Sequence, residues 1–407
     1  MPRETFTNSS ESSVKLIWIL ALLSTFGPLA IDMYLPSLPT IGSELNASAA
    51  QVQQTLSAFL VGFGLGQLFY GPLSDRYGRR PILLSGIALF SVTSALCGLA
   101  QDISSLTMYR FLHAVGGGAA IVIARAVVRD RFDTNQSARV LSTILMCTAL
   151  APLAAPIVGG FLLEQLGWRS IFWVLTGFGV LSFVVVAVGL EESNSAERRD
   201  GSSLATAFIR YRDVLGNRRL LGYMLASGFV YAGMFAYIIG TPFVYIEYFG
   251  VAPENYGFLF GLNIISIVIT SRINVRYVGR VGAKKMMARG IAVSAVAGVL
   301  LAAVGWLNAG FEVGGQSWGL WLVVAPLLFF LGPISIVGAN GVALASAEYP
   351  QAAGAVAALC GATQFGLGAS AGTLMGLLGD GSPLGMCLVI GVCGVLAVIS
   401  FCCLANR

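Results

Sequence analysis

Three ionisable side chains stand inside otherwise apolar sequence. Asp32 lies in IDMYLPSLP (31–39), Arg110 opens RFLHAVGGGAAIVIARAVVRD (110–130), and His113 is the only histidine in the chain. An unpaired Asp at the centre of a membrane helix costs about 2.5–3.5 kcal/mol on insertion scales, so Asp32 needs a partner, a water-filled cavity or a use. A carboxyl in such a place can carry a proton or hold a cation. Arg110 stays charged throughout and can bias a neighbouring acid without titrating itself. His113 follows three residues later on the same helix face, which Gly117 extends while leaving room beside it. An imidazole next to a fixed cation is suited to handing on a proton. Asp32, Arg110 and His113 are therefore the candidate proton-coupling set. Each has a plainer alternative: an acid or guanidinium that reaches back to the interface, or a histidine that only satisfies its hydrogen bonds.

A second group could bind rather than titrate. Tyr34, Met146, Tyr231, Phe235, Tyr237, Asn263 and Gln364 lie within apolar runs, as do Gln67 and Asn340. A lining of aromatic, thioether and amide groups suits lipophilic ligands of varied shape. Packing is the alternative for each of them.

The elements that must position these residues are membrane helices. Of 407 residues, 56% are hydrophobic and only 11% charged, against about 25% charged in an ordinary soluble protein. Mean hydropathy is +0.80. This composition excludes a collagen, a disordered tail, a secreted disulfide scaffold and a soluble enzyme. The seven cysteines fall inside apolar runs without zinc-ligand spacing and read as small core residues. The net charge of +5 reflects short basic loops rather than a nucleic-acid surface.

A helix needs about 20 mostly apolar residues to cross a bilayer. Twelve runs qualify, near 14–36, 51–72, 81–101, 105–128, 138–163, 168–190, 219–241, 254–275, 284–307, 318–341, 351–378 and 382–405. The first is too long for a cleaved signal and carries Asp32. With both termini inside, all but Arg110 and Arg169 of the 24 Lys and Arg fall on the inner side, and Glu44, Asp102, Glu164, Glu247, Glu254, Glu312 and Asp380 lie outside. That is the positive-inside pattern. The longest polar break, 191–218, divides the chain into a six-span half at 1–190 and another at 219–407. GPLSDRYGRR (71–80) has a weak echo in RINVRYVGRVGAKK (272–285), with Asn274 roughly where an acid would stand. Such repeats are typical of transporters, whose sites lie near the midplane between the halves.

Two further stretches are mechanical in character. In GPLSDRYGRRPILL (71–84), Gly71 and Gly78 permit tight turns, and Asp75 can cap a helix or pair with Arg79 or Arg80. The positive-inside rule accounts for Arg76, Arg79 and Arg80 but not for the glycines and the acid. In ALAPLAAPIVGGFL (149–162), Pro152 and Pro156 each remove a helix hydrogen bond, and Gly159 and Gly160 allow a close helix approach. A bent helix at the interface of the halves and simple close packing both fit.

GPLSDRYGRRPILL resembles the loop 2–3 signature of the major facilitator superfamily. RFLHAVGGGAAIVIARAVVRD resembles its span-4 motif. APLAAPIVGG resembles its span-5 antiporter motif, with Ala155 where many members have Gly. Together with IDMYLPSLP, these are similar to the bicyclomycin/chloramphenicol-resistance (Bcr/CflA) branch of twelve-span drug:proton antiporters. The resemblance spans essentially the whole chain. It implies an all-α membrane fold of two pseudo-symmetric six-helix halves, in a bacterial inner membrane with both termini cytoplasmic. It implies proton-driven efflux of drug-like molecules, with protons as coupling ion and no cofactor, metal or nucleic acid, by a monomer among lipids. It implies an inner gate at Gly71, Asp75 and Arg79, and proton- and cargo-linked roles for Asp32 and Arg110.

Burial favours a neutral acid and a nearby guanidinium favours its carboxylate. Opposed in this way, Asp32 and Arg110 would make a poised pair facing one another or a shared water cluster. A proton-coupled carrier of one metabolite, such as an amino acid, is the alternative within the class. A membrane enzyme would need a nucleophile near His113, and no Ser or Cys motif stands there.

Overall fold

The computed structural model describes residues 5–132, 134–194, 204–308, 316–378 and 381–405, without side-chain surroundings for 5–13, 134–139, 141–143, 145–147, 149, 204–205, 308, 316–317 and 351. The described secondary structure is helical. The first half contains α1 (Thr5–Ser24), α2 (Phe26–Asp32), α3 (Leu38–Glu44), α4 (Ala49–Tyr77), α5 (Arg79–Gly98), α6 (Ile103–Arg131), α7 (Thr134–Leu166) and α8 (Arg169–Gly189). A short helix, α9 (Leu204–Leu215), forms within the polar break. The second half contains α10 (Arg218–Thr241), α11 (Pro253–Val281), α12 (Ala283–Asn308), α13 (Gln316–Leu331), α14 (Ile334–Glu348), α15 (Ala353–Leu378) and α16 (Leu384–Ser400).

Among the described residues, ten helical rods are long and apolar enough to cross a membrane. Helices α7 and α15 occupy the two other predicted spans; the described apolar part of α7 is Leu150–Leu166. In the first half α6 packs against α4 and α5, and α5 against α8; in the second, α10 packs against α14, α15 and α16, and α12 against α13, α14 and α16. The halves meet where α4 lies along α15 and α7 along α11.

Three rods are broken, and proline accounts for each break. In span 1 the α-helix ends at Asp32 and a 3₁₀ turn covers Leu35–Ser37. Pro36 has no N–H to offer the Asp32 carbonyl four residues back. Span 7 leaves α geometry at Pro242 and continues as a π-helix to Tyr248. Span 10 is split at Gly332 and Pro333 into α13 and α14. Lipid supplies no hydrogen bonds, so freed carbonyls need protein donors. In span 10, Thr270 Oγ1 donates to the Gly332 carbonyl, and Ser266 Oγ donates at 2.8 Å to the Leu328 carbonyl, which also accepts from the Gly332 N–H at 3.0 Å.

The weak internal repeat is clear in the backbone. Helices α4 and α11 are both 29 residues long, and each ends on a glycine with positive φ: Gly78 at φ 98°, ψ 153° and Gly282 at φ 89°, ψ 144°. Aligning these turns sets Gly279, not Asn274, opposite Asp75. Asn274 instead accepts a hydrogen bond from Asn340 Nδ2 of α14 at 2.8 Å. Two expectations about glycine and cysteine also change. Gly71 lies inside α4 rather than in a turn, and Cys402 and Cys403 are exposed while Cys97, Cys360, Cys387 and Cys393 are buried. The chain's last π-helical turn, Phe401–Ala405, carries the exposed pair at the end of span 12.

The backbone of Gly78 is close to a region that only glycine enters without strain. Gly78→Ala should therefore cost about 1–3 kcal/mol. A lowered thermal midpoint of the detergent-purified protein checks this, and an unchanged midpoint would contradict it.

Candidate functional site

The site is built around span 1 where its helix breaks. Asp32 is 4% exposed and makes no ion pair among the described residues. The broken segment touches α7 of its own half and α11 of the other. A Cβ on Gly159 would collide with the Met33 carbonyl oxygen, so glycine there is what lets α7 lie against the residue after Asp32. Gly160 likewise faces the backbone of Pro253 at the start of α11. Across the interface, Asp32 lies within electrostatic range of the Tyr237 and Tyr256 hydroxyls. Asn263 Nδ2 donates to Tyr237 Oη at 3.0 Å, and Tyr256 and Thr241 share a hydrogen bond of 2.9 Å. Asn263 Oδ1 and Tyr245 Oη are buried there without protein partners among the described residues.

Arg110 does not pair with Asp32, contrary to the sequence-based expectation. It is fully buried, and its Nη1 donates to the Ala30 carbonyl at 3.0 Å. Its guanidinium carbon lies 4.5 Å from the ring centre of Tyr34, 4.3 Å from Phe59 and 5.8 Å from Phe172. Ring faces attract a cation, by about 2 kcal/mol or more when water is excluded. An aromatic cage and a carbonyl dipole therefore replace the carboxylate. The cage itself is anchored, because Tyr34 Oη and Thr55 Oγ1 are 2.9 Å apart. Arg110 thus grips span 1 on both sides of Asp32, at residues 30 and 34.

His113 Nδ1 lies 3.3 Å from Arg110 Nη1. A guanidinium only donates, so Nδ1 accepts and the ring's own N–H sits on Nε2. Nε2 is buried without a partner, as are Arg110 Nε and Nη2. The room expected beside Gly117 is filled by Phe90, whose ring centre is 4.0 Å from that of His113.

From this cage a ridge of α4 winds toward the basic loops, because Thr55, Phe59, Phe63, Gln67, Gly71 and Asp75 recur every fourth residue and each step turns the ridge about 40° around the helix. Phe63 meets Phe365 of α15 at 4.8 Å between ring centres, and Phe365 meets Phe235 of α10 at 5.1 Å. Beyond this aromatic layer lies a cavity of about 330 Å³, reached from the basic face between α4, α6, α9 and α15. The layer separates the cavity from Arg110, His113 and the break in span 1.

The candidate binding residues divide among these places. Tyr34 belongs to the cage and Phe235 to the aromatic layer. Tyr237 lies within electrostatic range of Asp32 and is bonded to Asn263, and Tyr231 lies within electrostatic range of Arg125. Gln364 is half-buried on α15 next to Phe365. The side chain of Met146 lies outside the described residues. Pro152 and Pro156 lie inside α7, which continues through both.

At the basic face, Arg79 is the buried centre of the loop motif. It pairs with Asp75 at 2.6 Å and with Asp130 of α6 at 3.0 Å, and donates to Ser74 Oγ at 2.7 Å. Asp75 therefore binds Arg79 rather than capping a helix. The cap of α5 comes from Glu192, whose two carboxylate oxygens accept from the Arg79 and Arg80 backbone N–H groups at 2.9 and 3.1 Å. Asn194 ties the same loop to the Asp75 carbonyl at 2.9 Å. Arg76 lies over Tyr77 at 5.3 Å, and Arg80 donates to the Ala187 carbonyl at 2.5 Å. Glu192, Asn194 and Asp130 were missed as partners of the motif. The available signal was the acidic EES that ends span 6 opposite an arginine-rich loop. On the opposite face Arg169 pairs with Glu44 at 3.0 Å.

Helices this apolar, arranged as two similar halves around a cavity, match the family model for the Major Facilitator Superfamily over residues 20–373. The chain belongs to the major facilitator superfamily. It is similar over nearly its whole length to a superfamily relative named bicyclomycin resistance protein homolog in Haemophilus influenzae, at 32% identity with 98% of each chain covered. A transporter named YdgK in Bacillus subtilis is 34% identical over 97% of this chain and 96% of its own. The multidrug resistance protein MdtL of Escherichia coli O157:H7 is 35% identical over 49% of this chain and 53% of its own. Among solved structures, a D-xylose-proton symporter shares the superfamily fold with a TM-score of 0.73 at 16% identity, over 95% of this chain and 97% of that one.

The Glu192 cap generates a separable expectation. Glu192→Gln should lower stability by about 0.5–2 kcal/mol, as for loss of a helix cap. Glu191→Gln, at a side chain 87% exposed, should change it by less than about 0.5 kcal/mol. Thermal unfolding of both variants measures the difference, and equal effects would remove Glu192 from the role.

Proposed function

We propose that this chain exports small lipophilic or amphipathic drugs across the bacterial inner membrane, driven by proton entry, with its basic face and both termini in the cytoplasm. The observation that carries the coupling is Asp32: a buried acid with no ion-pair partner among the described residues, at the proline break of span 1, facing the other half. The names of the relatives support the drug class of cargo. No cofactor is required, and protons are the coupling ion.

In this reading the conformation is inward-facing. The cavity meets the cytoplasm, while α7 and α11 close the outer side. Cargo enters between α4, α6 and α15 and reaches the aromatic layer. Rocking of the halves then separates α7 from α11 and opens a path from outside to Asp32. A proton arriving there neutralises the acid, which weakens its interaction with the hydroxyls of the second half. The change reaches Arg110 through span 1, because Arg110 holds Ala30 and Tyr34 on either side of Asp32. Closing the cavity carries Asp75 toward the first turn of α15, where the helix dipole favours a negative side chain. That contact is the inner gate. His113 keeps Arg110 oriented through Nδ1. Lipid surrounds a functional monomer.

One proton entering across 100 mV supplies about 2.3 kcal/mol, enough for an approximately fifty-fold gradient of a neutral cargo. In proteoliposomes with an acidic lumen, whose proton gradient is directed outward, Asp32→Asn should abolish gradient-driven chloramphenicol accumulation while exchange down a chloramphenicol gradient persists. Wild-type proton-dependent accumulation by Asp32→Asn would remove Asp32 from the coupling role.

A further inference from the structure

Arg125 has no part in the coupling scheme, yet its position is unusual. It sits in IVIARAVV, six residues before the end of α6, which is about 9 Å inside that end at 1.5 Å per residue. Its neighbours Ala124 and Ala126 are buried, whereas Arg125 is exposed, and what it is exposed to is the cavity. The positive-inside rule accounts for Arg129 and Arg210 at the rim. It does not account for a guanidinium this deep in the helix.

The charge around it is one-sided. The cavity is lined by Arg79, Arg125, Arg129 and Arg210 against a single carboxylate, Asp75, and that carboxylate is bound to Arg79 at 2.6 Å. Asp130, the other acid nearby, is also held by Arg79. Arg125 has no ion-pair partner among the described residues. The first turn of α15 forms the opposite wall with Ala353, Gly354 and Ala355, and a helix N-terminus adds further positive potential. Gln67 lines the inner end, and Tyr231 of the second half lies within electrostatic range of Arg125. Arg125 on α6 and the first turn of α15 thus face one space from opposite halves.

We infer that the cavity selects cargo bearing an anionic group, a carboxylate or phosphonate on an otherwise apolar body, and that Arg125 binds that group. A guanidinium presents two parallel N–H donors to such an oxyanion, and the low dielectric of the cavity strengthens the contact. The apolar body would lie against the layer of Phe63, Phe365 and Phe235. Because Arg125 and the first turn of α15 belong to different halves, the bound anion would bridge them. The inference rests on the transport reading for cargo movement, but the binding preference can be measured without transport.

The test uses the full-length protein in detergent with two probes that differ only in charge, nalidixate and its methyl ester, followed by quenching of intrinsic tryptophan fluorescence. Wild type should bind nalidixate about tenfold more tightly than the ester, as for one hydrogen bond to a charged group. Arg125→Gln should erase that preference, and Arg125→Lys, which keeps the charge, should retain part of it. Equal affinity of wild type for both probes, or an undiminished preference in Arg125→Gln, overturns the inference. Displacement of nalidixate by phosphatidylglycerol, with no nalidixate uptake by proteoliposomes, would identify a lipid headgroup as occupant and overturn it too. Selective nalidixate binding with uptake indifferent to the proton gradient would leave the inference standing and sink the proton-driven reading instead.

Discussion

A guanidinium buried without a carboxylate is the constraint around which the first half is arranged. Arg110 is surrounded by Tyr34, Phe59 and Phe172 and held by the Ala30 carbonyl. Such a charge is tolerable only where ring faces and a peptide dipole take the place of water. Meeting that demand fixes the register of span 1 against α6 on both sides of Asp32. It also fixes which face of α4 turns inward, since Phe59 must reach the cation and Thr55 must reach Tyr34. The acid and the cation are therefore coupled mechanically, through a shared stretch of backbone, rather than as an ion pair.

From that anchor the remaining architecture follows along α4. The ridge that begins at Thr55 and Phe59 winds through Phe63 and Gln67 to Asp75, so one helix connects cage, aromatic layer, cavity and loop motif. At its end Arg79 pairs with both nearby carboxylates, which leaves the cavity wall cationic. Glu192 then caps α5 from the end of span 6. The loop motif is held by the sixth span as much as by its own residues.

The two halves repeat in backbone and diverge in chemistry. Helices α4 and α11 end on equivalent positive-φ glycines, and the register they set puts Gly279 where the first half has Asp75. The second half therefore lacks the acid that pairs with Arg79, and uses the Asn274–Asn340 amide pair to join α11 to α14. The fastening is uncharged on one side and ionic on the other.

Much was determined by the sequence alone. Apolar runs of bilayer length and the motif at 71–84 specify membrane helices and the superfamily, because length and hydropathy are properties of the linear chain. Asp32 and Arg110 stood out for the same reason, as ionisable groups costly where they stand, and both are buried. Only the tertiary structure decided their relation. Whether Arg110 meets a carboxylate, a carbonyl or an aromatic ring depends on which helix faces which, and spans 1, 2, 4 and 6 are brought together only by packing. The same holds for Glu192 at the start of α5, for Phe365 between Phe63 and Phe235, and for Arg125, whose cavity is walled by helices of both halves.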